Sequence, residues 1–225
     1  AYNKQNPDYI DCLIGFHKMS LEKRKEIFGI QNDPWASQKI GISRFYNKVR
    51  KILGLQRQKI DWANTKVPEY SEEFPVLDYV DRDITGNQWI EVYKKLFGED
   101  MVFDNYYSKN IDSEIHIQQT RPIGNYAYSH KGGVEPDAVH LNHSYDMFSV
   151  DGNNYMVPTE GIVFATRYCF ETDDMLDVKG ITHFHALVSD DKTMHMGRNG
   201  HGMLSVGCGN RDSRGICYGP RQVNF

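Results

Sequence analysis

Two spacings of apolar residues divide the chain. Up to about residue 100 they recur at helical intervals; beyond Met101 they tend to alternate. A period near 3.6 aligns side chains on one helix face, and a period of 2 aligns them on one strand face. Ser20 can cap a helix over "LEKRKEIF" that Gly29 closes, because a serine oxygen accepts from a free first-turn N–H and glycine tolerates the left-handed stop. Asp33-Pro34 opens a second helix, with Phe45, Val49 and Ile52 on one face and Gly54 as its end. A third follows Thr85, with Trp89, Val92, Tyr93 and Leu96 at i, i+3, i+4 and i+7, and Gly98 ends it. Residues 64–84, interrupted by Pro68 and Pro75, read as an extended linker.

Past Met101, "EIHIQQT" alternates. "DAVHLNHS" and "YDMFSVDGNNYMV" read as strands, the second folded back at Asp151-Gly152. "GIVFATRYCF" and "GITHFHALVS" read as buried strands, and the glycine-rich "GCGNRDSRGICYG" as short strands joined by tight turns. The expected class is α+β, a helical N-terminal part followed by an antiparallel β-sheet, sandwich or barrel. The expected organisation is a basic helical segment (1–66), a linker with a helix packing on the sheet (67–100), and a His-rich antiparallel β domain (101–225).

Composition adds few constraints. The 225 residues are 40% hydrophobic and 25% charged, ordinary for a soluble domain. No apolar run approaches the roughly 20 residues of a membrane helix. The polar start, "AYNKQNPDYID", does not read as a signal peptide, so the expected location is cytoplasmic or within a virion, with no membrane partner. The four cysteines form no CxxC pair and are expected as free thiols, although Cys208 and Cys217 could close a small loop in an oxidising compartment. "NHS" at Asn142 fits the glycosylation pattern.

Charge changes the picture more. Net charge is −4, yet residues 1–66 carry 13 Lys/Arg against 6 Asp/Glu, whereas 67–225 carry 13 against 24. Arg44, Lys48 and Lys51 share one face of the second helix and form a candidate interface. The acidic remainder disfavours a broad nucleic-acid surface.

The candidate chemistry lies in "THFHALVSDDKTMHMGRNGHG", which holds four of the nine histidines. His183 and His185, two apart on a strand, share a face and suit a divalent metal, zinc or iron. His195, His140 and His201 are candidates for the third ligand. A two-residue turn at Asp190-Asp191 sets Ala186 opposite His195, on the wrong face; a three-residue turn sets Leu187 there, on the right one. Glu135, Asp137, Glu160 and Asp190 are candidates for proton transfer.

"HALVSDDKTMHMGR" resembles the strand pair of zinc amidases of the phage-lysozyme and peptidoglycan-recognition type, matching at His185, Asp191, Thr193, Gly197 and Arg198. His183, His185, Asp190 and Gly197 also resemble a cupin metal motif with Asp in place of Glu. Both patterns need a later ligand, and no histidine follows His201, so neither assigns a family. Two functions follow as expectations. One is a non-catalytic structural subunit of a virus- or phage-type assembly, whose partners are copies of itself or other subunits. The other is a metal-dependent hydrolase on the His-rich β part.

Overall fold

The computed structural model describes residues 33–98, 102–103, 116–117, 121–198 and 203–225. The chain divides into two compact units, 1–37 and 38–225, and the second is described below. The helix expected after Ser20 lies outside the described residues.

Helix α1 (Ala36–Ile52) buries Ile42, Phe45, Tyr46 and Val49, while Arg44, Lys48 and Lys51 stand exposed. Gly54, at φ 68°, ends it. Helix α2 (Gly86–Phe97) starts as its sequence predicts: the Thr85 hydroxyl accepts from Gln88 N, and Gln88 Oε1 accepts from Thr85 N. Gly98, left-handed at φ 69°, closes it. Trp89 is fully buried. Its ring stacks on Phe45 at 5.9 Å and meets Tyr46 edge-on at 5.7 Å. The ring thus contacts α1, where its spacing alone suggested the sheet.

Strands β1 (Val76–Val80), β4 (Tyr126–His130) and β9 (Val223–Asn224) form a three-stranded antiparallel sheet in the order β1-β4-β9. Part of the expected linker is therefore a core strand. Its "VLDYV" shows no alternation because both faces are covered.

The second sheet runs β2 (Val102–Phe103), β7 (Leu204–Asn210), β6 (Lys192–Arg198), β5 (Ile181–Ser189), β3 (His116–Ile117), with β8 (Tyr218–Pro220) also paired to β5. The pairs β2–β7 and β5–β8 are parallel. The class is α+β, with two separate sheets among the described residues, one of them mixed, and no closed barrel among them.

Three expected strands are corrected. "GIVFATRYCF" lies within helix α4 (Pro158–Thr172), with Pro158 in its first turn. A continuous apolar run fits a buried helix as well as a buried strand, and periodicity cannot separate them. "YDMFSVDGNNYMV" forms a one-turn helix α3 (Tyr145–Phe148), a bend at Asp151-Gly152, and a single bridge from Tyr155 to Gln222. "DAVHLNHS" forms a 3-10 turn at Ala138–His140.

Helix α4 packs against β1, α2 and strands β5 and β6 of the second sheet. Gly161 permits the approach of β5, since a Cβ there would lie 2.2 Å from the Phe184 ring. The two charged side chains that α4 buries, Glu160 and Arg167, are paired. Glu160 receives Arg121 Nε at 2.8 Å, Tyr126 Oη at 2.8 Å and Val157 N at 2.9 Å. Arg167 donates to Leu77 O at 2.7 Å and lies 3.2 Å from Asp78 Oδ1, an ion pair by distance without aligned hydrogen-bond geometry. Asp78 also takes His130 Nε2 at 3.0 Å. Nearby, Arg221 pairs with buried Asp177 at 2.6 Å.

Truncating Trp89 leaves a cavity between helices. Trp89→Ala should cost roughly 3–5 kcal/mol, read as a lower denaturant midpoint with an unchanged slope. An unchanged midpoint would contradict this packing.

Candidate functional site

The His-rich hairpin is built from β5 and β6. Ser189 pairs with Lys192, so Asp190-Asp191 is a two-residue tip. The Ser189 hydroxyl donates to Asp191 Oδ1 at 2.7 Å. The register then shifts: Leu187 faces Thr193, and His183 faces His195, so four steps along β5 match two along β6. This is a bulge, and its freed backbone groups find partners. His185 N donates to Met156 O at 2.9 Å, off the hairpin. The Thr193 hydroxyl lies 3.1 Å from Phe184 O and 2.9 Å from Ala186 O, and can donate to either.

The bulge decides where the histidines go. A two-residue tip alone would set Ala186 opposite His195; the bulge sets His183 there instead, with ring centroids 6.3 Å apart. His183 also lies 5.4 Å from the Tyr218 ring. His185 enters a different setting, with the rings of Tyr145 at 5.4 Å, Phe148 at 5.7 Å and Tyr155 at 6.5 Å. His140 stands beside His143 and Tyr155, at 5.7 and 5.3 Å. His201 lies outside the described residues. Of the candidate ligands, the structure brings His183 and His195 face to face. Among the described residues, no three His, Cys, Asp or Glu side chains gather into a group able to hold a metal ion.

His183 and His185 are 2% and 3% exposed, and the Nδ1 atom of each is buried without a hydrogen-bond partner. Burial pushes both down to about 4, helped at His183 by the charge of His195 and at His185 by Arg121, which Asp151 opposes. Both are therefore neutral imidazoles at pH 7, the form that ligates a metal.

The proposed proton carriers are largely engaged. Glu160 is locked between Arg121 and Tyr126, Asp137 accepts Gln222 N at 2.7 Å, and Glu135 accepts Lys179 N at 3.0 Å. Asp190 sits at the exposed hairpin tip. Cys169, Cys208 and Cys217 are free thiols. Arg44, Lys48 and Lys51 project from α1, and none has an ion pair with a described carboxylate.

Spacing did not mark a second site, a cavity of about 210 Å³ against Tyr46, Arg50, Tyr79 and Asp81. The available signal was a lone Arg50 on the apolar side of α1, which has to meet a carboxylate once buried.

No helix among the described residues is long and apolar enough to cross a membrane. No protein-family model, curated protein or solved structure shows significant similarity to this chain.

Buried neutral histidines make stability depend on pH. Their folded values, about 4, lie below the unfolded value of about 6.5. The unfolded chain therefore binds more protons between these limits. The stabilisation is complete above about 6.5 and is lost as pH falls toward about 4. Buried Asp177 and the partly exposed Glu171, both raised chiefly by desolvation, act in the opposite sense. Unfolding free energy measured from pH 7 to 4 should fall, and His183→Gln/His185→Gln should flatten the slope. Equal slopes for the two proteins would show that these histidines titrate normally.

Proposed function

We propose that the protein is a non-catalytic structural subunit of a larger assembly of the virus- or phage-particle type. The observation that carries this reading is the outward face of α1. Arg44, Lys48 and Lys51 stand exposed there without an ion pair to any described carboxylate, on a chain whose residues 67–225 carry 13 Lys/Arg against 24 Asp/Glu. A basic face on an acidic body suits head-to-tail contact between copies, or contact with an acidic neighbouring subunit.

Exposed charges are screened over about 8–10 Å near physiological ionic strength, so association through this face should weaken with salt. The triple reversal Arg44→Glu/Lys48→Glu/Lys51→Glu should leave the monomer folded and reduce the assembled fraction. Light scattering that finds a monomer at every salt and protein concentration would refute assembly from copies. Tight salt-sensitive binding of a random duplex would favour a nucleic-acid partner instead.

The facing pair His183–His195 supports a second reading, a metal-dependent hydrolase. A bound zinc or iron would supply an activated water there. On this reading, elemental analysis finds a stoichiometric transition metal. His183→Ala and His195→Ala each remove it, and His185→Ala, whose ring sits among Tyr145, Phe148 and Tyr155, retains it. Zinc that binds no better to wild type than to His183→Ala/His195→Ala would rule the site out.

A further inference from the structure

The outward face of α1 carries an apolar residue as well as charge. Ile40, Arg44, Lys48 and Lys51 recur at i, i+4, i+8 and i+11, which sets them in one stripe along the helix. At roughly 1.5 Å per residue the stripe runs about 16 Å. Ile40 is 51% exposed within it. The inward side of α1 is the one that carries Phe45 and Tyr46 onto Trp89.

An acidic surface adjoins this stripe at the C-terminal end of α4, where Phe170, Glu171, Asp173 and Asp174 are all exposed. The two helices meet there. The Phe170 ring lies 5.5 Å from the Phe45 ring, and a Cβ on Gly41 would sit 3.4 Å from Glu171 Oε1. The acidic groups oppose the helix they end. The last carbonyls of a helix favour cations nearby, yet α4 has no basic residue in its last turn. Arg167, 3.9 Å from Glu171, is already committed to Asp78 and Leu77 O. Asp173 and Asp174 have no ion pair to any described cation. Exposed carboxylates elsewhere, such as Glu91 and Asp146, are met by Lys95 and Arg211. A cation arriving from outside would therefore be stabilising at the end of α4.

A basic stripe and an acidic end side by side match the same surface of a second copy turned about a two-fold axis. In such a contact each residue pair is made twice, so each stripe meets the other copy's acidic end. Ile40 and Phe170 supply apolar surface near the centre, with the charges toward the rim, the usual anatomy of an interface. Resting on the reading of the protein as an assembly subunit, we propose that this surface pairs two copies of the chain across a two-fold axis, with Arg44, Lys48 and Lys51 of one copy against Glu171, Asp173 and Asp174 of the other. The contact closes after two copies, and the pair is then the unit that a larger assembly takes up.

The test is sedimentation velocity on the full chain over a range of protein concentrations, in about 50 mM and about 300 mM salt, with folding of each variant checked by circular dichroism. Wild type should saturate at the mass of two chains, with a higher dissociation constant at the higher salt. Arg44→Glu/Lys48→Glu/Lys51→Glu and Glu171→Lys/Asp173→Asn/Asp174→Lys should each raise that constant at least tenfold. Asp173 is replaced by Asn because it sits at φ 59°, a left-handed conformation that asparagine tolerates. Mixed in equal amounts, the two variants should pair with each other. Glu69→Lys/Glu72→Lys, which alters exposed carboxylates on another segment, should pair as wild type does. Asp174→Lys and Ile40→Glu, each weakening pairing several-fold, stand in if the α4 reversal does not fold. The proposal is overturned if the folded α4 variants pair as wild type does, if the mixture stays monomeric, or if wild type grows open-ended with no two-chain species. Association that the α1 reversal abolishes and the α4 reversal leaves intact overturns this acceptor alone and keeps the assembly reading, whereas a monomer under every condition overturns both.

Discussion

A helix buried on nearly all sides must find partners for every charge it carries. Helix α4 meets that condition with Glu160 against Arg121 and Tyr126, and Arg167 against Asp78 and Leu77. The rest of the fold is arranged around these pairs. Strand β1 brings Asp78, β4 brings Tyr126 and His130, and Arg121 arrives just before β4. Replacing such a pair with apolar residues can be neutral, but removing one partner strands the other and costs about 3–5 kcal/mol. Glu160 also accepts the Val157 N–H at the start of α4, so one carboxylate joins helix initiation to core assembly.

Strand β5 shows how a small backbone irregularity redirects side chains. Without the bulge His195 would oppose an alanine; with it, His195 opposes His183. The bulge persists because Met156 O and the Thr193 hydroxyl satisfy the groups it frees. The position of His195 therefore depends on Met156 and Thr193, neither of which carries chemistry itself.

The legible parts of the fold are those with local causes. Thr85, Gln88 and Gly98 fix α2 within their own turns, and Gly54 likewise ends α1. The α+β class follows from the change in apolar period. What could not be read depends on distant neighbours. β1 and β4 lack alternation because both faces are covered, and α4 mimics a strand because its burial leaves no polar stripe. The exposed basic face of α1 was legible from spacing alone. The pairing of His183 with His195 was not, since it depends on an insertion in the ladder that the turn residues do not encode. The cavity at Arg50 was hidden because Asp81 is distant in sequence from it.

The partners of the buried charges are far apart along the chain: 39 residues for Arg121–Glu160, 52 for His130–Asp78, 90 for Arg167–Leu77 and 44 for Arg221–Asp177. Each closes a long loop before its reward arrives, and such non-local closures slow folding. A carboxylate or guanidinium desolvated before its partner docks is unfavourable, so partly assembled intermediates are disfavoured around α4. The same ties must break together when the chain opens. Amide protons of α4, β1 and β4 should then exchange through one cooperative event, while the capped ends of α1 and α2 open on their own.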